Sequence, residues 1–150
     1  MKKTLYVKRQ LLNGVHFKEW ASGQGFKKTL EVDDFHVTIA FSRREIEWPK
    51  KDIDADHLFN IIPENPKIVP LGDDGAVVFK FDSTHLKERW NRYMNYGASY
   101  DYDSYQPHIT ISYKCDKMPE NIVPFSGALI FGPEEYSELD LNWKDKVNEH

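Results

Sequence analysis

The sequence predicts an α+β fold of two similar lobes, mostly antiparallel strands with two principal helices flanking a central cleft. Three observations point to it. Residues 35–42 (FHVTIAFS) and 107–114 (PHITISYK) repeat each other, placing a histidine, a threonine and a small residue at alternate positions. Each copy follows a helical pattern that ends near a glycine, Gly25 or Gly97. These patterns open alike, on His16-Phe17-Lys18-Glu19-Trp20 and His85-Leu86-Lys87-Glu88-Arg89-Trp90. The other apolar runs are short and separated by Pro, Gly and Asp, as between antiparallel strands.

Residues 4–12 alternate loosely and read as a first strand. A short helix over 15–26, with apolar Val15, Trp20 and Phe26, stops at Gly23-Gln24-Gly25. The first His-Thr strand follows, and Glu47-Trp48-Pro49 opens a charged connecting region. Residues 59–62 and 67–69 read as strands separated by Pro63 and Pro66. Gly72-Asp73-Asp74-Gly75 is a turn leading to an apolar run over 76–81, which makes a hairpin. Ser83 or Thr84 caps a second helix that runs to about Tyr96. After the second His-Thr strand, Pro119 and Pro124 break the chain before a strand at 128–131, and 136–141 makes a last strand. With no linker or low-complexity tract, residues 1–150 read as one domain, long enough to bury a core.

A strand sends successive side chains to opposite faces. His36, Thr38, Ala40 and Ser42 are thus expected on one face, and His108, Thr110 and Ser112 on one face of the second copy. Two strands that only filled a core would carry Val, Ile and Leu on both sides. Keeping an imidazole and a hydroxyl on the same face, twice, suits holding a phosphate between a general base and a general acid. The repeat spans about seventy residues, too few copies for a solenoid and right for a two-fold cleft.

Composition narrows the partners. A hydrophobic fraction of 40% and an aromatic fraction of 14% describe a globular chain. No apolar run reaches membrane-spanning length, and Lys8, Arg9 and Gln10 interrupt any secretion signal after Met1-Lys2-Lys3. A cytoplasmic protein without membrane association is expected, in the host cytoplasm if a phage encodes it. The single Cys115 excludes an intrachain disulfide. A net charge of −4 disfavours long nucleic acid but not a small phosphate ester held by local cations. Lys8-Arg9 and Arg43-Arg44 are among the basic pairs that could supply such cations, the alternative being solvated faces and loop ends. No His-Glu-x-x-His, cysteine cluster, Walker or dinucleotide pattern is present, so neither metal nor cofactor is expected.

On His36/Thr38 and His108/Thr110 the chain resembles the 2H phosphoesterases, a family with paired His-x-Thr motifs on facing strands. The likeness covers nearly the whole chain. Within that family it is most similar to the small phage anti-CBASS phosphodiesterases, which cut the cyclic di- and trinucleotide signals of bacterial defence. The contexts Asp34-Phe35-His36-Val37-Thr38 and Tyr105-Gln106-Pro107-His108-Ile109-Thr110, the chain length and the acidic stretch from Glu134 to Trp143 carry this closer likeness.

The resemblance implies a metal-independent hydrolase of 3′–5′ bonds in cyclic oligonucleotides. His36, Thr38, His108 and Thr110 would be its catalytic residues. One imidazole takes the proton of the 2′-hydroxyl next to the scissile phosphate, and the other protonates the leaving 5′-oxygen. Either histidine can start as the base. Two alternatives stay open: an RNA 2′,3′-cyclic phosphodiesterase or 2′–5′ ligase-like enzyme, and a nucleotide sponge that does not cleave. For base recognition, Tyr6 and Trp143 are the candidate stacking faces and Glu138 the candidate acceptor for an adenine amino group. The loop from Tyr96 to Tyr105 either closes over a base or packs on the second helix.

Overall fold

The structure, a computed structural model, describes residues 1–139. Their order is β1 (Lys2–Leu11), α1 (Gly14–Gly23), a 3₁₀ turn (Val32–Asp34), β2 (His36–Glu47), α2 (Ile53–Asp56), β3 (Phe59–Ile61), β4 (Glu64–Leu71), β5 (Ala76–Asp82), α3 (Thr84–Asn95), β6 (His108–Ser112) and β7 (Leu129–Ser137). Two antiparallel sheets result, with strand orders β2-β1-β7-β3 and β4-β5-β6. This is the α+β layout with antiparallel sheets that the sequence predicts.

Alternation on β1 sets the two sides of the first sheet. Leu5, Val7, Arg9 and Leu11 are buried, while Tyr6, Lys8 and Gln10 between them are half-buried. The helices cross over between the sheets. α1 follows a strand of the first sheet but covers the second: its Phe17 and Trp20 rings lie 5.6 and 5.7 Å from that of Phe79 on β5. α3 follows a strand of the second sheet and covers the first. Its buried Leu86, Arg89 and Tyr93 recur at helical spacing, and Arg89 and Tyr93 both bond to Glu134 on β7.

Both helices end the same way. Gly25 (φ 105°) and Gly97 (φ 103°) take a left-handed conformation that a Cβ would penalise. The amides of Phe26 and Ala98 beyond them close the last turns on the carbonyls of Ala21 and Tyr93. At the start of α3 it is Ser83 that caps, its Oγ accepting from the Leu86 amide at 3.2 Å.

Several elements differ from the sequence reading. β4 runs through Pro66, expected as a break, where its register with β5 shifts between Glu64 and Lys67. The charged connection contains a short helix, α2, capped by the Asp52 carboxylate, which accepts from the Ala55 amide at 3.0 Å. The strand expected at 128–131 and the start of the one expected at 136–141 are one strand, β7, and residues 140–141 of the latter lie outside the described residues. Pro133 falls inside β7 where the register with β1 slips, between Arg9 opposite Glu134 and Leu11 opposite Phe131. A proline has no N–H to donate, and an irregularity of this kind lets the strand continue past it. No helix among the described residues is long and apolar enough to cross a membrane.

Candidate active site

Pairing of the two His-Thr strands with their neighbours decides which side chains share a face. On the first sheet Gln10 stands opposite His36 and Lys8 opposite Thr38, but the next partner of β2, opposite Val7, is Ala40. Ile39 is the extra residue of a β-bulge. The second sheet repeats this. Lys80 stands opposite His108 and Val78 opposite Thr110, then Val77 opposite Ser112, which leaves Ile111 as the extra residue. A slip of one residue reverses the faces of everything beyond it. Ala40, Ser42 and Ser112 therefore leave the His-Thr face on which simple alternation put them. Ser42 and Ser112 are buried, and Phe41 turns to the Tyr6 side, edge-on to that ring at 5.9 Å.

Each histidine is held by the same device. His36 Nδ1 bonds to the carbonyl of Asp34 at 2.8 Å, and His108 Nδ1 to the carbonyl of Gln106 at 3.1 Å. A carbonyl oxygen only accepts, so Nδ1 carries the proton in both rings, and Nε2 is the atom left to gain or lose one. The Tyr6 hydroxyl lies 3.0 Å from His36 Nε2 and 3.1 Å from Thr38 Oγ1. Tyr6 is thus tied by its hydroxyl to two of the candidate catalytic side chains, a contact its reading as a stacking face did not include. Thr38 and Thr110 are both buried, 8% and 5% exposed.

Several ties fasten the two halves together, three of them flanking the His-Thr residues. The Leu30 amide donates to the Ile111 carbonyl at 3.0 Å, the Tyr105 hydroxyl to the Thr38 carbonyl at 2.6 Å, and the Ser99 amide to Ser42 Oγ at 3.0 Å. The partners run in opposite directions along the two segments. His36 and His108 both fall on the stretch between the first tie and the second.

His36 lines a small cavity of about 160 Å³ with Lys8, Gln10, Asp33, Asp34, Tyr113 and Glu135. His108 lines a larger one of about 410 Å³, which includes Lys80, Tyr100, Tyr102, Ser104 and Gln106. The two imidazoles therefore sit in unlike surroundings, carboxylates near the first and a lysine directly across from the second. Among the described residues no three His, Cys, Asp or Glu side chains are grouped to hold a metal ion.

Of the other residues singled out from the sequence, Glu138 follows β7, is exposed and lines neither of these cavities; Glu135 lines the one with His36. Trp143 lies outside the described residues. The Lys8-Arg9 pair divides: Lys8 lines the cavity with His36, but Arg9 is fully buried and bonded to Glu134 at 2.9 Å. Strand alternation was a signal that separates the two. Lys80 was missed, and nothing local marks it, because its place across from His108 comes from the β5–β6 register.

A family model described as "Anti-CBASS protein Acb1" matches residues 3–146. A curated relative of that description from Caulobacter sp. (strain RHG1) is 41% identical over 152 residues, 98% of this chain, and one from Sphingomonas paeninsulae is 42% identical over 149 residues, 95% of it. The chain spans 24% of the length of each of these two relatives. A third, from Acinetobacter phage Ac42, is 34% identical over 75% of this chain and 73% of its own length. Among solved structures, one titled as a phosphoesterase aligns with TM-score 0.56 at 13% identity, covering 93% of this chain and 97% of that one. E. coli LigT with phosphate aligns at 0.53 and 14% identity, covering 93% of this chain and 95% of that one. At these identities the likeness is one of fold.

Proposed function

Because the chain belongs to the anti-CBASS Acb1 family, we propose that it is a metal-independent phosphodiesterase that hydrolyses 3′–5′ bonds in the cyclic di- and trinucleotide signals of bacterial CBASS defence. The observation that carries the reading is the duplicated device. Two histidines, each with Nδ1 tied to the carbonyl two residues before it, start two strands whose next same-face residue is a buried threonine.

In this reading His36, Thr38, His108 and Thr110 perform the chemistry. One neutral imidazole accepts the proton of the 2′-hydroxyl at Nε2 as O2′ attacks the adjacent phosphorus. The P–O5′ bond breaks, and the other ring, protonated, delivers its Nε2 proton to O5′. The first product is a 2′,3′-cyclic phosphate, which water opens with the two rings in exchanged roles. Thr38 and Thr110 donate to the non-bridging oxygens, where charge grows in the transition state. Lys8 and Lys80, each across a strand pair from a His-x-Thr residue, offer positive charge to substrate phosphates in a chain whose net charge is −4.

Incubation with cyclic dinucleotides in excess EDTA, followed by separation of products, tests the proposal. Linear products should accumulate undiminished by the chelator. Tight binding without cleavage would instead make the protein a sponge, and cleavage confined to RNA 2′,3′-cyclic ends would make it an RNA-end enzyme.

A further inference from the structure

The segment between α3 and β6 is fastened at both ends to the other half. Ser99 bonds to Ser42 and to the Arg44 amide, Asp101 pairs with Arg43 at 3.1 Å, and Tyr105 is held on Thr38. All of these partners lie on β2, the strand that begins with His36. Between the ties Tyr102 stands 55% exposed, its ring edge-on to Tyr100 at 5.8 Å. Tyr100 in turn packs edge-on against Trp90 at 5.5 Å, which stiffens the wall behind it.

Tyr100 and Tyr102 line the cavity of about 410 Å³ that contains His108. Leu71 of β4 and Val78 of β5 add aliphatic surface, and Lys80 stands directly across from His108. The volume lies in the range of about 300–1,000 Å³ usual for small-molecule sites. Aromatic faces tolerate any base, aliphatic side chains pack against one, and a cation beside the reacting imidazole suits the phosphate attached to it. A nucleotide is the ligand that uses all three at once.

We infer that this cavity is the subsite for one nucleobase of the cyclic oligonucleotide, with Tyr102 as its stacking face and Lys80 as its phosphate contact. The inference rests on the phosphodiesterase reading above. It adds a subsite on the second sheet to the stacking role that the sequence assigned to Tyr6 on the first. The loop over 98–105 is then a fixed wall, since its two ends are bonded to the other half's His-Thr strand.

The probe is cyclic di-2′-deoxyadenylate, which lacks the 2′-hydroxyl nucleophile and so stays intact. Its Kd is measured by titration calorimetry on the unaltered protein, Tyr102→Ala, Tyr102→Phe and Lys80→Gln, each checked for an unchanged melting temperature. Tyr102→Ala should weaken binding by about tenfold or more, the size of one lost base stack. Tyr102→Phe keeps the ring and should bind within about threefold of the unaltered protein. Lys80→Gln should weaken binding and flatten its dependence on salt. Unaltered affinity in Tyr102→Ala, or equal losses in the Ala and Phe variants, would overturn the subsite while cleavage by the parent protein leaves the phosphodiesterase reading standing. A parent that neither binds the probe nor cleaves cyclic dinucleotides would overturn that reading, and the subsite with it.

Discussion

His36 and His108 are each held through Nδ1, which leaves one functional nitrogen per ring and no freedom to exchange it for the other. His36→Ala and His108→Ala should each lower turnover by about 10²–10⁴-fold with little change in stability, since general acid–base groups contribute on that scale. Multiple-turnover assays on variants with unaltered melting check this. Tyr6 distinguishes two roles at the level of one atom. Its hydroxyl reaches both His36 Nε2 and Thr38 Oγ1, so Tyr6→Phe should lower kcat by roughly tenfold, about the contribution of one hydrogen bond, with KM little changed. Tyr6→Ala should raise KM as well. A Phe variant with full kcat would leave Tyr6 only the stacking role assigned from the sequence.

Beneath the face that carries Tyr6 and Lys8, the elements are bound by a buried ionic network. Arg9 of β1 donates to Glu134 of β7 and to the carbonyls of Asp54, His57 and Gly132. Arg89 of α3 reaches Glu134 at 2.7 Å and the α2 cap Asp52 at 2.8 Å, and the Tyr93 hydroxyl donates to Glu134. Burial alone would raise the Glu134 pKa, but the Arg89 and Tyr93 bonds and the Arg9 charge outweigh it and hold the carboxyl below its ordinary value. Hydrogen bonds from Arg89 are the main cause that brings Asp52 from 3.8 down to about 2, against a smaller effect of burial.

Both carboxyls bind protons less readily folded than unfolded. Their stabilisation is complete above the unfolded value and is lost as pH falls through the folded one, to about 2 for Asp52. Unfolding free energy from urea titrations should therefore fall steadily as the pH is lowered below about 4. Glu134→Gln should cost about 3–5 kcal/mol at neutral pH, because the buried Arg9 loses its carboxylate partner and Arg89 keeps only Asp52. Asp52→Asn should flatten the acid limb with a smaller loss.

At the scale of the whole molecule, one offset of 72 residues relates His36 to His108, Thr38 to Thr110, the bulges at Ile39 and Ile111, and the glycines that end α1 and α3. The repeat is not carried into the strands beside them: Gln10 faces His36 while Lys80 faces His108. A two-fold scaffold thus surrounds an asymmetric pair. The proposed mechanism requires one neutral and one protonated ring, and on that mechanism kcat/KM should be bell-shaped in pH. A rate that climbs without a maximum, or that chelation removes and zinc restores, would argue for metal chemistry. A cyclic dinucleotide without the 2′-hydroxyl should resist cleavage at that bond and act as a competitive inhibitor. Cleavage of it at the normal rate would make water or a side chain the nucleophile.

Much of this was legible before folding, wherever the determinant is local. The spacing His-x-Thr puts both side chains on one strand face, Gly25 and Gly97 mark helix ends that need a positive φ, and Ser83 offers its oxygen to an orphan amide. The turn Gly72-Asp73-Asp74-Gly75 announces the β4–β5 hairpin for the same reason, with Gly72 at φ 70° and Gly75 at φ 90°. Tertiary structure alone decided that Ala40, Ser42 and Ser112 leave the His-Thr face, that β7 continues through Pro133, and that Lys80 stands across from His108. Each of these depends on the register between strands distant in sequence. Register is set by backbone hydrogen bonds and core packing summed over whole sheets, so a single bulge, invisible in the residues that form it, reassigns every side chain after it.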